Sequence, residues 1–390
     1  MRVLITGGAG FIGSATARAL ARSGHRPVVL DSFSAQVHGE GADRAAAALA
    51  GTAEVVRGDV RDRDVVASLV SRADAVVHLA AETGTGQSMY EITHHTDVNV
   101  GGTAVLLEAL TTTNHPVRRI VVASSRSIYG EGSYRCEVDG TVHPPGRDDE
   151  AVRAGRFDPV CPVCGRDVVM VPTSETAALH PASVYAATKL AQENLVLAIA
   201  RARGLSAYAL RYQNVYGPGQ SLSNPYTGIL AIFAREMLAG RPIEIFEDGA
   251  ESRDFVHVSD IAELNVAALT APGRDVRSVN VGTGRAVAVS EIAALLGREL
   301  GFRGAISVSG RSRAGDIRHN RADIGLAGRL FDFEPRVGIE EGLAEFCRWA
   351  REVLATEDSA GPDGYRASLA ELEARGLMTP TPPGDDRPST

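Results

Sequence analysis

The stretch that most constrains this chain is its beginning, MRVLITGGAGFIG. Val3, Leu4 and Ile5 read as a short β-strand, Gly7, Gly10 and Gly13 follow at GxxGxxG spacing, and a helix is expected over 11–22. Each glycine has a mechanical role. Gly7 permits a sharp turn out of the strand, Gly10 leaves no side chain between the backbone and a pyrophosphate, and Gly13 lets helix and strand pack closely. The helix N-terminus, with Phe11 and Ile12 in its first turn, then turns backbone N–H groups and the positive end of the helix dipole toward an anion. A glycine triplet alone says little. Set between a strand and a helix, it predicts that a dinucleotide is held by its phosphates.

The rest of the N-terminal half repeats the strand–helix rhythm. A strand over 27–30 ends at Asp31, where a carboxylate would grip the hydroxyls of an adenosine ribose and repel a 2′-phosphate. No arginine follows it immediately, so NAD is favoured over NADP. A strand over 53–56 closes on Gly58, Asp59 and Val60; Asp59 either accepts from an adenine amino group or caps the next helix. The run 75–81 reads as a fourth strand, apolar as befits burial on both faces, and brings Leu79, Ala80 and Ala81 to its end. His78 within it reads as a core histidine with no visible partner. A helical segment then carries Asn99, and a fifth strand over 120–123 runs into Ser124 and Ser125.

This alternation predicts an α/β fold, a doubly wound parallel (Rossmann) sheet with its ligand sites at the carboxyl ends of the strands. The expected divisions are an NAD-binding domain over 1–210, a smaller substrate-binding α/β lobe over 211–358, and a mostly flexible tail over 359–390. In the lobe, helices over 228–239, 258–269 and 290–300 alternate with strands over 243–246, 278–281 and 306–309. One amphipathic piece is expected in the tail near 365–377, and the final dozen residues read as disordered. Residues 131–180 break the rhythm with little apolar periodicity and read as an insertion.

Composition narrows the class. With 44% apolar and 23% charged residues, the 390-residue chain can bury a large core. A net charge of −8 argues against general nucleic-acid binding. No apolar run approaches the ~20 residues of a membrane span, and a core strand starting at Met1 leaves no room for a signal peptide, so a cytoplasmic location is expected. Four cysteines in a chain of this length do not make a disulfide framework.

Tyr185 and Lys189 supply the chemistry. On a helix expected over 184–202 they stand one turn apart on one face, so an ammonium beside the phenol lowers its pKa and fits it for proton transfer near neutral pH. The lysine also reaches toward a nicotinamide ribose. Ser125, at the end of a sheet strand, would hydrogen-bond the reacting hydroxyl and the phenol.

Taken together, the glycine loop, Asp31, HLAA (78–81), Asn99, SSRSIYG (124–130), YAATK (185–189), LRYQNVYGPG (210–219) and SRDFVHVSD (252–260) resemble the extended short-chain dehydrogenase/reductase superfamily. Within it they are most similar to the nucleotide-sugar epimerases and dehydratases, over residues 1–350 outside the insertion. The resemblance implies a nucleotide-diphosphate sugar oxidised at C4 by tightly bound NAD, with Tyr185 as base and Lys189 and Ser125 in support. It also implies a homodimer, formed by the helices that follow Gly101 and span 184–202. Dehydratases of the superfamily follow the serine with an Asp-Glu pair; here Arg126 and Ser127 stand there, which disfavours 4,6-dehydration and favours 4-epimerisation, with a C4 ketoreductase as the alternative. Asn214, Arg253, Arg313 and Asp316 resemble the family's diphosphate and nucleotide contacts, and Arg318 is a further candidate. GQSMYEI (86–92), SSRSIYGEGSYRC (124–136) and SNPYTGILAIF (223–233) are similar to a dTDP-L-rhamnose 4-epimerase subgroup. Arg126 stands next to the sugar in that scheme: facing inward it brings in an anionic sugar such as a uronate, facing outward it carries no meaning.

The insertion has a signal of its own. Cys161-Pro-Val-Cys164-Gly is half of a zinc knuckle, and Cys136 with Asp139 could complete a tetrahedral site, His143 being a substitute fourth ligand. Structural zinc stands against free thiols in a reducing cytosol. Cys347 lies in an apolar helical segment and reads as core.

Overall fold

Apolar residues alternate sides along the opening strand, and this decides where everything else goes. Val3 and Ile5 face one layer of helices and Leu4 the other, each fully buried. The structure, a computed structural model, describes residues 1–226, 228–356 and 364–379. Strand Arg2–Thr6 lies inside a seven-stranded parallel sheet whose order is Val276–Val281, Ser206–Tyr212, Arg119–Ser125, Ala75–His78, Arg2–Thr6, Arg26–Asp31, Glu54–Arg57. One face is covered by helices Phe11–Arg22 and Val258–Thr270, the other by Arg63–Val70, Gly102–Thr112 and Val184–Arg203. The order turns back on either side of the first strand. That switch opens a crevice at the carboxyl ends of Arg2–Thr6, Ala75–His78 and Arg119–Ser125.

Several expectations are corrected. The strand near 278–281, placed in the small lobe by its position in the chain, forms the edge of the main sheet as Val276–Val281, in register with Ser206–Tyr212. Helix Val258–Thr270 likewise packs on the first helix, with Asn265 Nδ2 donating to Thr16 Oγ1 at 2.9 Å. The chain thus returns from the lobe to finish the sheet. A separate core holds the lobe, where helices Ile229–Leu238, Val289–Leu300 and Ile339–Thr356 bury Phe233, Leu296 and Phe346.

The fourth strand stops at His78, which frees Leu79–Ala81 to line the crevice. The insertion is ordered into a three-stranded antiparallel sheet of Gly140–Val142, Tyr134–Cys136 and Val169–Met170. In the tail, the helix Gly364–Ala374 buries Leu369 and Leu372 with Met378 against Tyr90 and Phe246. The rest of the expected flexible tail, including the final residues read as disordered, lies outside the described residues. No helix among the described residues is long and apolar enough to cross a membrane.

Candidate active site

The glycine loop builds the phosphate end of the crevice. Gly7 sits at φ +67, a conformation open to glycine, and a Cβ there would stand 2.8 Å from Ala80 N. The helix Phe11–Arg22 begins at Gly10 with no side-chain cap, so the N–H groups of its first turn remain available to a ligand. The crevice itself is a cavity of about 830 Å³, lined by Gly7, Gly10–Gly13, Asp31, Asp59, Val60, Leu79–Ala81, Ser125, Tyr185 and Lys189. Asp31 accepts from the N–H groups of Ala9 (3.0 Å) and Phe33 (2.8 Å). Burial pushes its carboxyl up, but the bonds from His38, Phe33 and Ala9 outweigh that and hold it below the usual carboxylate range. It is therefore a fixed anion at the tip of the second strand.

Asp59 is bound by Arg61 and faces the cavity, while Asp62 caps helix Arg63–Val70 through the N–H groups of Asp64 and Val65; the capping role considered for Asp59 belongs to Asp62. Asn99, expected on the cofactor, is fully buried behind the wall. Its Oδ1 accepts from Glu82 N at 2.7 Å and its Nδ2 donates to Thr188 Oγ1 at 2.9 Å, so it positions the loop after the fourth strand. The reason is local: residues 97–101 form a π-turn that swings Asn99 inward.

At the reacting end, Ser183 caps helix Val184–Arg203 by accepting from Ala186 N, and Tyr185 N donates to Ser88 Oγ at 3.0 Å. These bonds turn Tyr185 toward the cavity wall that carries Ser125. Ser125 Oγ accepts from Ser127 Oγ at 2.9 Å and from Ser127 N at 3.2 Å. Burial raises the Tyr185 phenol above its ordinary value, while the nearby Ser125 side chain and the Arg126 guanidinium pull it back.

Lys189, expected to poise the phenol, is only 3% exposed and turns its Nζ to Gln192 Oε1 at 2.7 Å; burial lowers its ammonium to about 7 against the opposing effect of Glu193. The guanidinium of Arg126 also lies close enough to Tyr185 to lower its phenol. Gln192, marked in advance only by its i,i+3 spacing from Lys189, donates on to Thr103 Oγ1 at 2.8 Å.

His78, expected without partners, lies between Thr6 Oγ1 (2.7 Å) and Thr103 Oγ1 (2.8 Å), and burial lowers it to about 3. Its folded pKa is below the unfolded value of about 6.5, so the unfolded chain binds the extra proton and stability falls as pH drops through that value. From pH 7 to pH 5 this amounts to about 2 kcal/mol. Denaturant unfolding at the two pH values is expected to show that loss and to show it largely removed in His78→Gln; an unchanged slope in the variant would refute the assignment.

The candidate substrate residues divide. Arg126 is half-buried and faces inward, within electrostatic reach of Arg253, Asp316, Tyr185 and Glu131; burial, then Arg253, lowers it to about 9. Arg313 and Asp316 line a second cavity of about 490 Å³ and hold each other through two 3.0 Å bonds. Asn214 Oδ1 is buried with no hydrogen-bond partner among the described residues. Arg253 spends its guanidinium on the carbonyls of Ser252, Ile317 and Arg318. Arg318 is buried and paired with Asp158, Asp248 and Glu247, which rules it out as a free nucleotide contact.

Comparison with known proteins agrees with this arrangement. Residues 3–151 and 161–282 match the NAD dependent epimerase/dehydratase family, the match breaking inside the insertion. The chain is 37% identical over 357 residues to a dTDP-L-rhamnose 4-epimerase of Burkholderia thailandensis, covering 90% of this chain and 96% of that one. Among solved structures it is similar to the UDP-glucose 4-epimerase of Thermotoga maritima with UDP-glucose (29% identity, TM-score 0.73) and to MoeE5 in complex with UDP-glucuronic acid and NAD (32%, TM-score 0.72). Each of these alignments covers 91% of this chain and all of the other.

Proposed function

The chain belongs to the NAD dependent epimerase/dehydratase family, and we propose that within it the chain is a nucleotide-sugar 4-epimerase acting on a dTDP-6-deoxyhexose such as dTDP-L-rhamnose. The residues on the crevice fit NAD: an uncapped helix N-terminus beside a side-chain-free loop suits the pyrophosphate, and the fixed carboxylate of Asp31 suits the adenosine ribose. When bound, NAD supplies a hydride acceptor at C4 that can return what it took.

The remaining work falls to side chains. Tyr185, as base, takes the proton of the C4 hydroxyl, and Ser125 holds both oxygens in line. When hydride returns to the opposite face of the keto-sugar, Tyr185 gives the proton back, and the configuration at C4 is inverted with no net redox change. Lys189 holds the cofactor's ribose end, its amine positioned by Gln192. Arg313 and Asn214 hold the nucleotide diphosphate while the sugar turns, with Asp316 fixing the Arg313 guanidinium.

The observation that carries this reading is that Ser125 and Tyr185 share the cavity wall and that, among the described residues, no free carboxylate follows Ser125. Expelling a sugar hydroxyl needs an acid and a base, but Arg126 and Ser127 follow Ser125, and Glu131 is occupied by Arg147 and the N–H of Arg318. A second reading rests on Arg126 alone, whose inward guanidinium suits the carboxylate of a uronate such as that in UDP-glucuronic acid.

A panel of nucleotide sugars incubated without added reductant distinguishes them. Conversion of dTDP-L-rhamnose supports the first reading, conversion of UDP-glucuronate in its place the second, and conversion of neither removes both. The same reading places the protein in the cytoplasm as a homodimer, joined through helices Gly102–Thr112 and Val184–Arg203.

A further inference from the structure

The insertion holds two short turns that repeat each other. Cys136-Glu-Val-Asp139-Gly140 and Cys161-Pro-Val-Cys164-Gly165 share spacing and a closing glycine, and the glycines have φ +74 and +73. Asp139 therefore occupies in the first turn the position that Cys164 occupies in the second. Cys136 Sγ is 3.5 Å from Cys164 Sγ and 3.5 Å from Asp139 Oδ2, and Cys161 Sγ is 3.2 Å from Asp139 Oδ2. One ligand atom from each of the four residues lies within 4.8 Å of all the others. Four ligands around one zinc, with Zn–S about 2.3 Å and Zn–O about 2.1 Å, stand about 3.6–3.8 Å apart. The 3.5 Å sulfur separation is far from the ~2.05 Å of a disulfide.

We infer that Cys136, Asp139, Cys161 and Cys164 bind one structural zinc ion that closes the insertion and, through it, holds one wall of the second cavity. His143, considered as a substitute fourth ligand, is not among the residues whose ligand atoms cluster here. A closed set of four protein ligands leaves no open position, so the ion is structural. It is needed because the insertion has little else to hold it: its core is Tyr134, Cys136, Val142 and Cys161, with Val168 and Met170 half-buried against them. The consequence reaches the site along the strand that ends in Cys136. Tyr134 donates to Glu131, Glu131 pairs with Arg147, and Arg147 donates to Glu247 and to the carbonyl of Asp316. Glu131, Arg147 and Asp316 all line the 490 Å³ cavity.

The test is elemental analysis of the full chain purified from zinc-supplemented medium. About one zinc per chain is expected, retained by Asp139→Cys and by the control Cys347→Ser. Asp139→Ala and Cys164→Ser are expected to release it to a chelator roughly tenfold faster or more, and zinc removal is expected to raise KM for the nucleotide sugar more than it lowers kcat. No metal in the wild type, iron in place of zinc, or unchanged retention in both Asp139→Ala and Cys164→Ser would overturn the proposal. If the loss variants do not fold, the wild-type stoichiometry and Asp139→Cys decide it.

Discussion

Tyr185→Phe is expected to lower kcat by about 10³, or roughly 4 kcal/mol of barrier, while KM and the amount of NAD carried by the purified protein stay within a factor of three. The substitution removes one hydroxyl and keeps the ring that packs at the cavity, so binding is spared and only proton transfer is lost. The pH dependence gives a second, signed readout. Tyr185 must be ionised to act as base, so kcat/KM rises with pH along an acid limb. The nearby Ser125 side chain and the charge of Arg126 both favour the phenolate. Ser125→Ala and Arg126→Gln are therefore expected to shift that limb to higher pH. Full turnover by Tyr185→Phe would remove the assigned base.

The other large effect is expected at Gly13. A Cβ there would stand 2.3 Å from the Gly7 carbonyl oxygen and 2.6 Å from Gly8 Cα. Both are backbone atoms, so the helix Phe11–Arg22 would have to retreat from the loop. Overpacking of this kind costs about 1–3 kcal/mol, and the retreat also moves the helix N-terminus away from the phosphates. Gly13→Ala is expected to lower the melting temperature by about 1–4 °C and to lose most of its NAD on gel filtration. Gly10→Ala provides the contrast, since its Cβ meets one atom at 3.3 Å, the Gly7 oxygen. That variant is expected to lose NAD with a much smaller change in melting temperature, because the added methyl fills the phosphate cradle without prising helix from loop. Equal melting losses in the two would contradict the geometry.

How much of this was legible in the sequence depended on whether a feature is encoded locally. Strands buried on both faces show as unbroken apolar runs, so the strands up to Arg119–Ser125 could be anticipated, as could the glycine loop and the Tyr185–Lys189 pair. The destination of Val276–Val281 could not, because nothing in a six-residue strand names its neighbour. Strands of two or three residues in the insertion are too short to show a period. The direction of a long side chain was also hidden. Lys189 looks toward Tyr185 by spacing, yet packing turns it to Gln192; Arg253 and Arg318 look like ligand contacts, yet carbonyls and carboxylates of the fold already claim them. Conversely, Arg126 in SSRSIYG was ambiguous until burial set it facing inward.

The central claim is that C4 is inverted without net oxidation or reduction. It is tested most directly by following the nucleotide sugar that the panel identifies by proton NMR, with no reductant added, while absorbance at about 340 nm is recorded. The C4 epimer is expected to accumulate to an equilibrium mixture with no net change in NADH. Conversion only when NADH or NADPH is supplied, with one reductant oxidised for each sugar converted, would contradict it and make the protein a ketoreductase.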